Sequence, residues 1–300
     1  MPVRVGIAKL TQCGDIILER LNSAPDAVEK GGLKKVLETN GCIVVESKTA
    51  ELTNEEENQY GAWNRLGLAS RHLADIVADQ VRRGMFTIGL LPTCDALMGM
   101  LGGFQRSGPK ARPLRVGLIW LDAHGDINTP ETTPSGLLAG MPLAIAAGLC
   151  LERLRVMCGQ EVAIPTKCIK MVGVRDADPL EQEIINNSDI EQITSDDIRE
   201  LSPVITQQME RLGKITDIIY VHVDIDVLDP KETPGLGLPV EGGPTSAQLG
   251  AAFEIVFRYP KVAGLGIASH PVGRDSEGKT LMAIYELIRH AVIGVNARNS

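Results

Sequence analysis

Two short stretches of the 300-residue sequence place carboxylates at close spacing directly after apolar runs. In the first, Asp122, His124 and Asp126 follow GLIWL; in the second, Asp224 and Asp226 follow YVHV. Carboxylate and imidazole groups bind divalent cations, whereas several acids gathered in one pocket without a cation would repel one another and lose hydration. The pattern therefore predicts a site for divalent metal, with two ions bridged by shared carboxylates.

Each stretch taken alone has a simpler explanation. A single D-x-H arises by chance, and D-x-D-x-x-D-P is compatible with a turn that aspartates cap. Two such clusters, each at the end of an apolar run, favour metal binding. Because alternate residues of a strand share a face, we expect Asp122, His124 and Asp126 to point the same way from one strand. His222 lies on the corresponding face of the second strand and is expected to support the ligands from behind.

Apolar, β-branched runs alternate with helix-length segments along the chain, which predicts a three-layer α/β/α sandwich built on parallel strands. We expect one domain over residues 1–300. The expected strands cover 3–8, 41–46, 86–92, 115–121, 168–174, 217–224 and 262–268, and the expected helices include 55–83, 136–149, 180–187, 246–258 and 278–293.

The charge, hydropathy and cysteine content of the chain indicate which classes of partner and which compartment to expect. The net charge is −8 and no Lys/Arg-rich stripe is present, which argues against nucleic-acid binding. No apolar run reaches the roughly 18 residues that would cross a bilayer. The six cysteines contain no C-x-x-C pair, so we expect reduced thiols and a cytoplasmic protein.

Three segments resemble signatures of the ureohydrolase family, which comprises arginases, agmatinases and formimidoylglutamases. They are DAHGDINTPETTPSG (122–136), VGVRDADPLE (172–181) and VDIDVLDP (223–230). The resemblance implies a mostly parallel sheet of about eight strands. It also implies two metal ions, usually manganese, hydrolysis of a C–N bond in a guanidino or related group, and a homo-oligomer, either a trimer or a hexamer.

The resemblance carries over to individual residues. It implies that Asp122, His124, Asp126, Asp224 and Asp226 bind the metals, and that Asp126 is also catalytic, accepting a hydrogen bond from the attacking water and then its proton. It further implies that Asn128, Thr133 and Ser135 hold a substrate carboxylate, that Asp178 reads an α-amino group, and that Glu181 is its acidic neighbour. These assignments favour an amino-acid-like substrate.

Three positions depart from the family pattern. Cys94 stands where the family has its first His ligand, five residues before Gly99. A free Cys is commonly a small buried hydrophobe, but the position favours Cys94 as a metal ligand or a close neighbour of the metal, and a soft thiolate would favour Zn, Fe or Ni over Mn. Ala139 replaces a catalytic His, and Ser269 replaces a Glu that binds guanidinium. His270, beside it, either takes over a polar role or is a capping or surface residue.

We therefore predict a metal-dependent amidinohydrolase that acts on a small guanidino substrate such as arginine or N-hydroxy-arginine and releases urea or hydroxyurea. Losing a proton-transfer group costs about 10²–10⁴-fold in rate, and an N-hydroxyl group draws electrons from the guanidinium and lowers its basicity, so N-hydroxy-arginine would suffer less. The stretch RDSEGKT (274–280) is similar to arginase-like hydrolases of this compound that carry Cys at the ligand position. The alternatives are an agmatinase, formimidoylglutamase or small-guanidine hydrolase, or an impaired family member that acts as a binding or regulatory protein.

Overall fold

One parallel sheet of eight strands runs through the computed structural model, which describes residues 2–109 and 112–299. The strand order across the sheet is β2-β1-β3-β8-β7-β4-β5-β6, and every neighbouring pair is parallel. The strands are β1 (Val3–Leu10), β2 (Cys42–Ala50), β3 (Phe86–Leu90), β4 (Val116–Leu121), β5 (Ile169–Val172), β6 (Glu191–Ile193), β7 (Ile218–Asp224) and β8 (Val262–Ala268).

Helices connect the strands, as parallel pairing requires. The α-helices are α1 (Ala24–Val28), α2 (Lys34–Thr39), α3 (Asn54–Glu57), α4 (Ala62–Arg82), α5 (Leu97–Arg106), α6 (Pro142–Ala147), α7 (Glu152–Met157), α8 (Pro179–Asn186), α9 (Ser195–Arg199), α10 (Pro203–Ile215), α11 (Ser246–Val256) and α12 (Lys279–Asn296). Short 3₁₀ segments include Ile16–Ser23, Cys94–Ala96, Leu138–Gly140 and Ile225–Val227.

The two faces of the sheet are covered by different helices. On one face, Gly117 lies against Leu212 of α10, and neighbouring strand residues pack on α10 and α11. On the other face, Tyr220 of β7 stacks on Phe104 of α5, with ring centroids 5.1 Å apart. Both faces of the central strands are therefore buried, which explains their continuous apolar runs. This arrangement confirms the predicted three-layer α/β/α class.

The sequence predicted seven of the eight strands. It missed β6, which is only three residues long and only partly buried. The expected helix 55–83 is two helices, because Gly61 adopts a positive φ of 96° just before α4. The expected helix 136–149 is a 3₁₀ turn followed by the short α6.

Because the strands are parallel, their carboxyl ends share one edge of the sheet. Strands β3, β8, β7 and β4 are consecutive neighbours there. Strand β7 ends at Asp224, and the segments that follow β3, β8 and β4 carry Cys94, Ser269 and Asp122. Ligands of open α/β sheets bind at this edge. Elsewhere, no helix in residues 2–109 and 112–299 combines the length and hydropathy that a bilayer crossing requires.

Candidate functional site

A pocket of about 530 Å³ opens at the carboxyl edge of the sheet, within the usual size for small-molecule sites. All six residues predicted as metal ligands line it: Cys94, Asp122, His124, Asp126, Asp224 and Asp226. They come from the segments after β3, β4 and β7 and are separated by up to 132 residues in sequence. The fold thus brings the predicted ligands together.

The potential ligand atoms form two overlapping groups. One atom each from Cys94, Asp122 and Asp126 lies within 4.8 Å of the others, and the same holds for Asp122, His124 and Asp226. His124 Nδ1 is 3.1 Å from Asp226 Oδ2 and 3.4 Å from Asp122 Oδ1. Asp122 belongs to both groups, as a carboxylate that bridges two cations must. The donor set therefore fits two divalent ions.

The reason predicted for this convergence is wrong in one respect. Strand β4 ends at Leu121, so Asp122, His124 and Asp126 do not alternate along a strand. They converge because the chain turns: Asp126 has a left-handed φ of 49°, a conformation that Asp tolerates better than most residues. In the other stretch, Asp224 does end β7 on the same face as His222, whereas Asp226 lies in a 3₁₀ turn.

The carboxylates of the pocket lie close together in low-dielectric surroundings. Burial raises the pKa of Asp122 and Asp126 well above the usual range, and the neighbouring carboxylates raise both further. Burial also raises the pKa of Asp224, to about 7. Burial alone would lower the pKa of His124, but its hydrogen bonds to Asp122 and Asp226 outweigh this and raise the pKa to about 12. Bound cations would offset this accumulated negative charge.

Cys94 is fully inside the site. Its Sγ lies 3.0 Å from Asp224 Oδ2 and 4.0 Å from Asp122 Oδ2, and the residue is 2% exposed. Burial raises the pKa of the thiol well above its ordinary value, and the nearby aspartates add to the effect. Behind it, His222 Nε2 lies 3.3 Å from Sγ. His222 does not line the pocket, and burial lowers its pKa to about 3, so the imidazole is neutral.

The predicted substrate residues occupy one wall of the pocket, with one exception. Asn128, Ser135, Asp178 and Glu181 line it, and Asn128 Nδ2 donates to Asp178 Oδ2 at 3.0 Å. Thr133 does not line the pocket and instead accepts a hydrogen bond from the backbone N–H of Gly136.

The carboxylate of Glu181 is hydrogen-bonded to the backbone. Its carboxylate accepts the N–H of Ile127 at 2.8 Å and the N–H of Asp178 at 3.1 Å, and the side chain is buried. Burial raises its pKa. Because both oxygens already bind main-chain donors, Glu181 fastens the loop that carries Asp126 and Asn128 to the start of α8.

The departures from the family pattern leave few proton donors. Ala139 lines the pocket with a methyl group only. Ser269 Oγ donates to Asp224 Oδ2 at 2.5 Å, and its φ is 67°, in the left-handed region. His270 is buried outside the lining, and its Nδ1 has no hydrogen-bond partner among the described residues.

Sequence reasoning missed two charged residues of the pocket wall. Asp176 lies two positions before Asp178, so the D-x-D spacing could have revealed it, and it forms an isolated bridge with His124. Arg20 is the only lysine or arginine among the described residues that line the pocket. Its segment is fixed by Asp15, whose carboxylate accepts the N–H groups of Leu138 and Ala139. No local pattern indicates this long-range contact.

A further residue supports the loop that carries Asp226. The Arg175 guanidinium donates to six main-chain carbonyl groups at 2.8–3.4 Å, and burial lowers its pKa. The carbonyls belong to Gly173, Asp226, Val227, Leu228, Val240 and Glu241.

Comparisons with known proteins agree with this geometry. A family model described as the arginase family matches residues 67–294. The arginase of Brevibacillus brevis is 30% identical over 74% of this chain and 75% of its own length. The arginase of Bacillus caldovelox is 34% identical over 63% of this chain, and that match spans 62% of the relative, less than two thirds of its length. The crystal structure of the Bacillus caldovelox arginase superposes with a TM-score of 0.83 and 27% identity, covering 98% of this chain and 99% of that one.

Proposed function

Because the chain belongs to the arginase family, we propose that it is a metal-dependent hydrolase that cleaves a C–N bond of a guanidino group on an amino-acid-like substrate. Family members are amidinohydrolases that act on linear amidines. The observation that carries the proposal is the meeting of six potential metal ligands in one pocket beside Asn128, Ser135 and Asp178. Because the conserved fold alone does not fix a substrate, the argument rests on these side chains.

We propose that Cys94, Asp122 and Asp126 hold one divalent ion and that Asp122, His124 and Asp226 hold the second, with Asp224 beside the first. When bound, such ions act as Lewis acids and bring the pKa of water toward neutrality. Manganese is the ion that the resemblance implies. The thiolate of Cys94 favours Zn, Fe or Ni.

We propose Asp126 as the residue that handles the proton of the attacking water. Its left-handed backbone turns the side chain into the group formed with Cys94 and Asp122. A carboxylate oxygen held there accepts a hydrogen bond from water and then takes the proton as the guanidino carbon is attacked. The tetrahedral intermediate that results collapses as Asp126 gives this proton to the departing amine, with release of urea, or of hydroxyurea from an N-hydroxylated substrate.

The charges on the pocket wall support an amino-acid end on the substrate. Asp178 offers a carboxylate to an α-amino group, and Ser135 and Asn128 offer hydrogen-bond donors to a carboxylate. Arg20 adds a positive charge, and none of its guanidinium atoms pairs with an acid among the described residues. A substrate without a carboxylate, such as agmatine, would leave this end unused.

The missing proton donors favour an activated substrate. Apart from the proton that Asp126 carries, the departing amine finds no donor at the two altered positions, because Ala139 is apolar and the Ser269 hydroxyl is already bonded to Asp224. The N-hydroxyl group of N-hydroxy-arginine stays with the released hydroxyurea. It draws electrons from the guanidino group and lowers the basicity of that group, so less of the substrate is held in the protonated form that resists attack by water. We therefore propose N-hydroxy-arginine ahead of arginine.

The decisive experiment combines metal analysis with a substrate panel. Purified protein is loaded with Mn²⁺, Fe²⁺, Ni²⁺ or Zn²⁺, and turnover of N-hydroxy-arginine, arginine, agmatine, guanidinobutyrate and formimidoglutamate is measured. Near two ions per chain and highest kcat/KM for N-hydroxy-arginine are expected. Highest kcat/KM for agmatine or formimidoglutamate would transfer the proposal to those classes.

A non-catalytic family member is the second candidate, and the losses at Ala139 and Ser269 favour it. It predicts at most one ion per chain and no turnover of any panel compound with any metal. The hydrolase predicts turnover that disappears in Asp126→Asn, the matched control that keeps the size of the side chain. Equal, trace activity in both proteins would support the non-catalytic candidate.

We also propose a cytosolic location, supported by six free cysteines, five of which are buried. A trimer or hexamer stays a prediction from the resemblance, and light scattering coupled to gel filtration measures it directly.

A further inference from the structure

Three buried polar side chains form a row that begins at Cys94 in the pocket lining and continues into the protein through His222 and Tyr220. The Tyr220 hydroxyl is 3.0 Å from His222 Nδ1, and His222 Nε2 is 3.3 Å from Cys94 Sγ. Tyr220 and His222 are fully buried, and Cys94 is 2% exposed. Buried polar groups cost stability unless they are hydrogen-bonded, so this row requires an explanation beyond packing.

The partners fix the direction of the hydrogen bonds. Within residues 2–109 and 112–299, His222 Nδ1 is the polar atom within bonding distance of the Tyr220 hydroxyl. A buried hydroxyl that left its proton unbonded there would destabilise the fold, so its O–H donates to Nδ1. A neutral imidazole that accepts at Nδ1 carries its proton on Nε2. The Nε2–H therefore points at Cys94 Sγ.

Neighbouring strands hold the imidazole in this orientation. In β4, Trp120 pairs with His222, and the two rings stack with centroids 4.6 Å apart and planes 3° from parallel. In β8, Gly266 pairs with His222, and a Cβ there would lie 1.9 Å from the Tyr220 hydroxyl oxygen. The absent side chain at Gly266 thus makes room for Tyr220, and Trp120 prevents the imidazole from tilting.

We propose that His222 is a positioning residue that holds the Cys94 sulfur in the metal pocket through an Nε2–H···Sγ hydrogen bond. This inference rests on the proposed function, because it takes Cys94 to be a metal ligand. The sulfur is fixed between His222 on one side and Asp224, 3.0 Å away, on the other. Partners that orient a ligand in this way typically change metal affinity by about 10–100-fold when removed.

The consequence is a preference for thiophilic metals. With the sulfur held in place, the first group of donors contains a soft ligand and suits Zn²⁺, Fe²⁺ or Co²⁺. If the sulfur turned away, carboxylates and His124 would remain, and Mn²⁺ would compete better. His222 therefore acts on the choice of metal without touching the ion.

Cobalt provides a direct test, because a thiolate bound to Co²⁺ gives a charge-transfer absorption band in the near ultraviolet. The full-length protein is stripped of metal, titrated with Co²⁺, and compared with His222→Phe and His222→Gln. Phe keeps a flat ring against Trp120 but has no N–H, whereas the Gln amide can still donate to sulfur. We expect the band to weaken in His222→Phe, cobalt affinity to fall by about 10–100-fold, and His222→Gln to recover most of both.

The outcomes separate the two proposals. A wild-type spectrum without the band, identical to that of Cys94→Ser, would overturn Cys94 as a ligand and this inference with it. A wild-type band that persists at full strength and affinity in His222→Phe would overturn only the role of His222. Tyr220→Phe, which removes one hydroxyl, serves if His222→Phe does not fold. A smaller loss of affinity is then expected, and unchanged affinity and band would overturn the inference.

Discussion

Replacing Cys94 by His should destabilise the protein, although His is the ligand that related proteins are expected to use. The Cys94 sulfur has His222 Nε2 at 3.3 Å and Asp224 Oδ2 at 3.0 Å, so an imidazole ring in the direction of the sulfur would overlap these two side chains. Overpacking of this kind costs about 1–3 kcal/mol. In a chain of this size each kcal/mol lowers the melting temperature by roughly 2 °C, so we expect a decrease of about 2–6 °C in Cys94→His.

The effect should depend on His222. His222→Ser alone removes a buried ring, leaves a cavity, and takes the acceptor from the Tyr220 hydroxyl, which together cost about 3–5 kcal/mol. In that background a His at position 94 can fill the space, so the same substitution should raise the melting temperature instead of lowering it. Residues in contact show coupling energies of about 0.5–3 kcal/mol, which is large enough to measure.

Thermal unfolding of the four proteins in chelator, followed by circular dichroism, measures this coupling without a contribution from metal. Manganese content after reloading provides a second readout, and the double variant should take up the most. If Cys94→His lowered the melting temperature equally with and without His222, the steric reasoning would be refuted.

Three further predictions follow from the site. Asp126→Asn should lower kcat by about 10²–10⁴-fold, because it removes the proton acceptor. The melting temperature should not change, because Asn also tolerates the left-handed backbone at this position. Unaltered turnover would exclude Asp126 from the chemistry. Arg20→Gln should lower kcat/KM for N-hydroxy-arginine by up to about fivefold, as expected for an exposed charge, and leave agmatine unaffected; an equal loss for both compounds would contradict recognition of a carboxylate. Metal-free protein should lose stability as pH rises from about 4 to 7, because burial holds the pKa of Asp95 at about 6 and that of Asp224 at about 7, and the folded state keeps protons that the unfolded chain releases. The raised pKa values of Asp122 and Asp126 act in the same direction, whereas the lowered pKa of His222 acts in the opposite one. We expect the four carboxylates to outweigh the single histidine. A melting temperature in chelator that rose steadily from about pH 5 to 8 would contradict this reasoning.

The sequence was sufficient for the class of sheet, for seven of its eight strands, and for predicting which acidic residues meet in the pocket. Continuous apolar runs indicate doubly buried parallel strands, and parallel strands deliver the residues at their carboxyl ends to one edge. This logic placed Asp122 and Asp224 in one site. The same reasoning was wrong for the path of residues 122–126, where a left-handed turn at Asp126 replaces the expected strand. A single Asp in a sequence is not enough to predict a positive φ.

Long-range contacts account for the rest of what the sequence could not predict. Arg20 reaches the pocket only because Asp15 binds backbone groups more than a hundred residues away. His222 and Cys94 are 128 positions apart in the sequence. They come into contact because β8 lies between β3 and β7 in the sheet, which brings the segment after β3 close to β7. The sequence pattern predicted a supporting role for His222, but it did not predict that the imidazole lies beside Cys94.

Arg175 makes the width of the pocket and the position of Asp226 depend on each other. One guanidinium binds carbonyl groups in the loop of Asp226 and in the wall segment that ends at Glu241. Moving that wall outward for a bulkier molecule would strain the bonds that keep Asp226 in place. We therefore expect variants selected for larger substrates to bind the proposed metal ions less tightly. A wider substrate range would then be gained at the expense of metal affinity.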